Sequence, residues 1–167
     1  FLFITLACMT KGIAGLFFIP AMAIYVAIKK QMLSILKNKY FYFGFILFLV
    51  FVGGYYLLRE SLNPGFLKTV WQIELGGRFT AVIENHEETP WFYYNNFVNW
   101  RLKFWYILVP CGLLIGFFNK NILIKKITFY SFILSATLLL IISFAKTKLE
   151  WYDLPTYPFL AMIISAF

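Results

Sequence analysis

Apolar residues in this chain come in long runs that fill every face of a helix. They do not alternate with polar residues as in an outer-membrane strand. Crossing about 30 Å of hydrocarbon takes roughly 20 apolar residues in a helix. The runs predict spans at about 1–28 with an interruption at 10–12, at 40–58, at 104–118, at 127–145 and at 158–167, where the chain ends. We therefore expect an all-α integral membrane protein, a polytopic helical bundle.

Charged residues lie mainly in the connections between these runs. Two connections carry lysine and no acid, and their lysines are Lys29, Lys30, Lys37 and Lys39 in the first and Lys120, Lys125 and Lys126 in the second. All acidic residues fall in the other connections, where basic residues balance them. The positive-inside rule then predicts that the lysine-only connections are cytoplasmic and that 59–103 is a large outer loop.

The outer loop has its own pattern. Asn63-Pro64-Gly65 is a turn signal, and the apolar and charged positions that follow it predict an amphipathic helix on the membrane surface. Tryptophan, tyrosine and phenylalanine are frequent along the loop, and these residues settle at the level of the lipid headgroups. We expect a partly helical loop that lies close to the bilayer.

Composition excludes most other classes of protein. Hydrophobic residues make up 62% of the 167 positions and charged residues 13%, against about 25% charged in an ordinary soluble protein. The net charge of +8 does not point to nucleic acid, because most of the excess lies in the lysine-only connections, where orientation in the membrane explains it. Both Phe1 and Phe167 stand within apolar runs, so we expect residues 1–167 to be an internal part of one multispan domain.

The predicted topology brings three groups of polar residues to the outer side. Ionisable residues kept at a membrane interface are candidates for function, since burying them is costly. The candidates are Lys11 at the interruption of the first run, Glu74, Arg78 and His86 in the outer loop, and Lys146, Lys148 and Tyr152 after the fourth run. The lysines either extend their ammonium groups to the interface or bind an anion such as a lipid phosphate, and spacing leaves both open.

His86 is the only histidine and is flanked by glutamates. A metal site needs three or four ligands, and one histidine with loosely spaced glutamates does not supply a recognisable set. The residue is therefore either a solvated loop residue or one member of a site whose other ligands the pattern does not reveal.

Three segments together resemble a known family. The segment Cys8-Met9-Thr10-Lys11-Gly12 resembles the Thr-Lys-Gly segment of bacterial lipid A aminoarabinose transferases and of their relatives in the protein O-mannosyltransferase superfamily. The loop residues Trp71, Glu74, Arg78-Phe79, Asn85-His86 and Pro90-Trp91-Phe92-Tyr93 look like its periplasmic loop. The stretch Ser143 to Leu149, with Tyr152, Leu154-Pro155 and Tyr157-Pro158, is similar to its Ser-Lys-x-Lys-Leu-Pro-x-Tyr-x-Leu-Pro signature.

The resemblance implies a membrane glycosyltransferase of the GT-C type. Such an enzyme moves a sugar from a polyprenyl-phosphate donor to lipid A, a protein or a glycan, at the outer face of a bacterial inner membrane. The resemblance assigns donor-phosphate binding to Lys11, Arg78, Lys146, Lys148 and Tyr152, and substrate binding in the loop to Glu74. It places the key acidic residue in a first outer loop, which we expect to precede residue 1, and so it assigns no catalytic residue within 1–167.

Glu150 departs from the family pattern, which has proline at that position. In the aminoarabinose branch the loop histidine contributes to a metal site, and His86 matches its place; a divalent metal is therefore the one cofactor that the resemblance suggests. The alternative function is a transporter or flippase for a lipid-linked or anionic substrate. We favour the enzyme because the second to fourth runs are nearly free of charge, whereas transporters keep ionisable groups near mid-bilayer.

Overall fold

The computed structural model describes residues 1–77 and 88–166. The structure is 80% helical, and the described residues contain no strand, which confirms the all-α prediction. The chain divides into two compact units, Phe1–Ala81 and Val82–Phe167. Each unit is described by itself.

The first unit begins with a broken helix. Helix α1 (Leu2–Lys11) ends at Gly12, whose φ of +61° and ψ of −143° lie outside the helical region. A 3₁₀ segment (Gly12–Leu16) follows, and α2 (Ile19–Ile28) starts with a proline in its first turn. The two halves, Leu2–Leu16 and Ile19–Ile28, are bent by 76°. The helix thus stops within the interruption expected at 10–12, and the bend itself comes a few residues later.

A long apolar helix follows the short helix α3 (Met32–Leu36). The side chain of Asn38 accepts a 2.9 Å hydrogen bond from the Tyr40 N–H and so caps α4 (Lys39–Phe48). A π-helical segment (Leu49–Gly53) continues it into α5 (Gly54–Leu62). Val52 is the one buried residue of this helix, and most of its large apolar side chains are exposed. Most of the helix surface is therefore open to lipid or to other helices.

The start of the loop 59–103, which the sequence predicts to be outer, is an ordered turn. The Glu60 carboxylate accepts hydrogen bonds from the N–H groups of Gly65 and Leu67, at 2.9 Å and 2.7 Å. Gly65 has a φ of +95°, a left-handed conformation that suits glycine. Helix α6 (Phe66–Val70) starts directly after this turn and runs into a π-helical segment (Trp71–Gly77).

The second unit contains a longer series of helical segments. In chain order they are α7 (Phe92–Asn96), a π-helical segment (Phe97–Arg101), a 3₁₀ segment (Lys103–Ile107), α8 (Leu108–Phe118), α9 (Ile122–Phe144), a 3₁₀ segment (Leu154–Thr156) and α10 (Tyr157–Ile164). Asn121 caps α9 by accepting a 2.9 Å hydrogen bond from the Leu123 N–H. Helix α9 is the central element, and 39% of its most apolar stretch is buried.

Glycines let the helices of this unit approach closely. A Cβ at Gly112 would collide with the backbone of Ile163 in α10, and one at Gly116 would collide with the Thr128 side chain in α9. Small residues at such contacts are typical of helices that pack in membranes. Helix α8 is therefore fixed against both α9 and α10 by positions that accept no side chain.

Two helices in the described part of the chain, Lys39–Leu62 and Ile122–Phe144, are long and apolar enough to cross a membrane. The bent pair Leu2–Leu16 and Ile19–Ile28 makes a third if it is one span. Apolar helices at Lys103–Phe118 and Leu154–Ile164, where we expected spans at 104–118 and 158–167, are shorter than this criterion.

Candidate functional site

Two of the predicted site residues, Lys11 and Glu74, lie in the first unit. Lys11 is exposed at the end of α1, and the half-buried Glu74 comes from the π-helical segment of the outer loop. A Cβ built on Gly12 would lie 2.9 Å from Glu74 Oε2, so the carboxylate rests directly against the glycine. Two features favour glycine at position 12: its positive φ and the close approach of the carboxylate. The structure thus brings Glu74 to the Lys11–Gly12 junction.

The other three candidates that the structure describes lie in the second unit, directly after α9. The helix stops at Ala145, whose ψ of 140° is extended. Lys146 then stands exposed, whereas Lys148 is only 4% exposed and donates a 2.6 Å hydrogen bond from its ammonium to the Ala145 carbonyl oxygen. A cation at a helix C-terminus also interacts favourably with the helix dipole. Tyr152 is half-buried four residues further on.

A buried tyrosine fixes this segment to the outer loop. Tyr93 in α7 is 1% exposed, and its hydroxyl donates a 3.1 Å hydrogen bond to the Leu149 carbonyl oxygen. Burial raises the pKa of Tyr93 above its ordinary value, so the hydroxyl stays protonated and remains a donor. This hydrogen bond therefore joins the aromatic segment around Tyr93 to the chain directly after the lysine segment 146–148, although the two are far apart in sequence.

A buried acid lies at the base of the same segment. Asp153 is fully buried, and its Oδ2 accepts a 2.9 Å hydrogen bond from the Tyr157 hydroxyl. Its Oδ1 is buried and has no hydrogen-bond partner. Desolvation raises the pKa of Asp153, while the hydrogen bond from Tyr157 and the positive charge of Arg101 act in the opposite direction. From the sequence, Asp153 was treated only as one of the balanced charges in the connection after the fourth run. The one local signal was a tyrosine four residues later, at helical spacing.

An open cleft lies beside these residues. Its volume is about 440 Å³, and the described residues that line it are Asn96, Trp100, Arg101 and Glu150. Arg101 Nη2 lies 3.7 Å from Glu150 Oε2, and both side chains are well exposed. Sequence reasoning missed this cleft, because Glu150 comes from a connection some 50 residues beyond the loop that provides the other three.

Two predicted residues, Arg78 and His86, lie outside the described residues. Their assignments to the donor phosphate and to a metal therefore stay predictions. Within residues 1–77 and 88–166, no group of three His, Cys, Asp or Glu side chains could hold a metal ion.

Comparison of the chain with models of protein families, with curated proteins and with solved structures finds no match.

Proposed function

We propose that this chain is part of a membrane glycosyltransferase that moves a sugar from a polyprenyl-phosphate donor to an acceptor on the outer face of the membrane. The segment Lys146-Thr147-Lys148 carries the proposal. It follows α9, a helix of 23 residues whose most apolar stretch has a mean hydropathy of 2.1, and so stands where a membrane-spanning helix would leave the bilayer. A lipid-linked phosphate is held at that depth by its own hydrocarbon chain.

The charge distribution along α9 supports this orientation. Lys120, Lys125 and Lys126 lie at its first end, and of the two connections that flank α9 only the one after it contains acids. The positive-inside rule then puts Lys146 at the outer side.

Fixed cations suit the chemistry of this transfer. When a sugar leaves a polyprenyl phosphate, negative charge develops on the phosphate oxygens. Lys146 is exposed and can approach such a phosphate, while the buried Lys148 holds the backbone at Ala145 in place. Positioning by a preorganised segment is effective because the backbone that carries Lys146 need not reorganise during the reaction.

Binding of polyprenyl phosphate to the full-length protein in nanodiscs tests the proposal. We expect Lys146→Ala to weaken binding about tenfold, which corresponds to about 1.4 kcal/mol. Lys125→Ala, at the other end of the same helix, is the matched control and should bind like the parent protein. Equal binding by the parent and Lys146→Ala would refute the assignment of the donor phosphate to this segment.

The bend between α1 and α2 favours the second candidate, a transporter or flippase. Broken helices surround the substrate sites of many transporters, and this break angle is 76°. Reconstituted vesicles separate the two functions. A glycosyltransferase forms a glycosylated acceptor with donor on the outer side alone, whereas a flippase moves the lipid-linked substrate between leaflets and forms no product.

A further inference from the structure

The open cleft of the second unit is lined by described residues other than the lysines assigned to the donor phosphate. Its described lining combines an amide, an indole, a guanidinium and a carboxylate, contributed by Asn96, Trp100, Arg101 and Glu150. Its volume of about 440 Å³ lies within the range of small-ligand sites, roughly 300–1,000 Å³. We propose that this cleft binds a neutral sugar ring, which packs on Trp100 and exchanges hydrogen bonds with Asn96, Arg101 and Glu150.

Charge pairing decides between a neutral ligand and an anion. Arg101 is 3.7 Å from Glu150, so the two side chains cancel each other's charge at the cleft. A phosphate here would compete with Glu150 for the guanidinium and would be repelled by the carboxylate. Sugar hydroxyls avoid this conflict, since each can accept from Arg101 or Asn96 and donate to Glu150. The ion pair is also accessible, with side-chain exposures of 41% and 72%.

Trp100 supplies the flat apolar surface that a sugar ring needs. Its side chain is 80% exposed although it lines the cleft. Trp100 also follows Asn96 by four residues, in a helical region, so the amide and the indole face the same side. The negative π-face of an aromatic ring attracts the weakly positive C–H groups on the apolar side of a sugar. Trp91 and Trp105 are similarly exposed but are not among the described residues of the cleft.

The position of Glu150 connects the cleft to the proposed reaction. Glu150 is two residues from Lys148, and two residues span at most about 7 Å. A sugar in the cleft would therefore lie next to the segment assigned to the donor phosphate. The role of this sugar in catalysis rests on the proposed function. Binding of a sugar to the cleft can be measured separately.

Saturation-transfer NMR on the full-length protein in nanodiscs is the test, with methyl glycosides of glucose, mannose, galactose and N-acetylglucosamine as probes. We expect at least one glycoside to bind. Trp100→Ala should weaken that binding at least tenfold, and Trp100→Phe should retain most of it. Trp105→Ala is the matched control and should leave binding unchanged. Thermal unfolding of each variant shows that the fold is intact.

Several results would overturn the inference. The first is that no glycoside in the panel binds. The second is equal binding by the parent and Trp100→Ala, which would make Trp100 a membrane anchor only. The third is displacement of the glycoside by inorganic phosphate at similar concentration. If the glycoside binds through Trp100 while polyprenyl phosphate fails to bind near Lys146, the sugar site stands and the proposed function fails.

A further arm identifies the source of the sugar. If a polyprenyl-phosphate sugar displaces the glycoside and polyprenyl phosphate alone does not, the cleft holds the donor's sugar. If the glycoside binds together with the complete donor, the cleft holds the acceptor's sugar. Both results require the cleft to bind a sugar and so support the inference.

Discussion

The Tyr157 hydroxyl donates a 2.9 Å hydrogen bond to Oδ2 of Asp153, and the other oxygen of this buried carboxyl group has no partner. The 3₁₀ segment Leu154–Thr156 separates the two residues and folds the chain back. Thr156 adds hydrogen bonds of 2.8 Å and 2.6 Å, from its N–H and its hydroxyl, to the Asp153 carbonyl oxygen. An acid is thereby held inside the protein just beyond the lysine segment.

Asp153 should make stability depend on pH. Because burial raises its pKa in the folded state, the protonated form favours folding. This contribution is complete below the unfolded pKa of roughly 3.9 and is lost as the pH rises through the raised value. We expect the unfolding temperature of Asp153→Asn to depend less on pH across that range than that of the parent protein. Thermal unfolding in detergent at several pH values measures this. Glu88→Gln, at an exposed acid, is the control. An unchanged pH dependence in Asp153→Asn would show that Asp153 does not titrate in this way.

Gly12→Ala should destabilise the junction of the first unit for two reasons. The backbone conformation of Gly12 costs another residue about 1–3 kcal/mol, and the new methyl group would press on the Glu74 carboxylate. Gly65→Ala is a matched control, since Gly65 also has positive φ but has no atom within 4 Å of an added Cβ.

We expect a larger loss of thermal stability for Gly12→Ala than for Gly65→Ala. A double-mutant cycle of Gly12→Ala and Glu74→Ala should show coupling, because Glu74→Ala removes the carboxylate on which the new methyl group would press. If the two glycine substitutions cost the same and the cycle shows no coupling, Glu74 does not contact Gly12.

Two helical glycines, Gly112 in the second unit and Gly54 in the first, should respond to substitution in opposite ways. Gly112→Ala would force its methyl group into the Ile163 backbone, and overpacking of this kind costs about 1–3 kcal/mol. Gly54→Ala adds a methyl group in open space within a helix, where alanine is favoured over glycine by about 0.5–1 kcal/mol. The unfolding temperature should fall for the first substitution and stay level or rise for the second. A rise for Gly112→Ala would mean that α8 and α10 do not pack at this position.

Topology can be tested with single cysteines in a protein whose Cys8 and Cys111 are replaced by serine. Cysteines at the exposed positions Glu88 and Glu150 should react with a membrane-impermeant reagent from outside. Cysteines at the exposed positions Lys37 and Lys125 should react only after the inner face is opened. Any exchange between these two groups would remove the basis for placing Lys146 at the outer surface.

The amino-acid sequence by itself determined the helical class and the approximate places of the helices. Runs of about 20 apolar residues leave few alternatives in lipid, because every backbone N–H and C=O must be paired within the segment. The interruption predicted at 10–12 is also where α1 ends, at Gly12. The caps that Asn38 and Asn121 form were found only in the structure.

Only the tertiary structure decided which polar residues meet. The contact of Glu74 with Gly12, the hydrogen bond from Tyr93 to Leu149 and the cleft between Trp100 and Glu150 each join residues about 50 or more positions apart. Hydrophobic periodicity is a local property and does not specify such pairs, since they depend on how separate helices pack. The burial of Lys148 and Asp153 could not be predicted for the same reason. Charged residues are expected to be exposed, and only the packing of the folded chain shows that these two are buried.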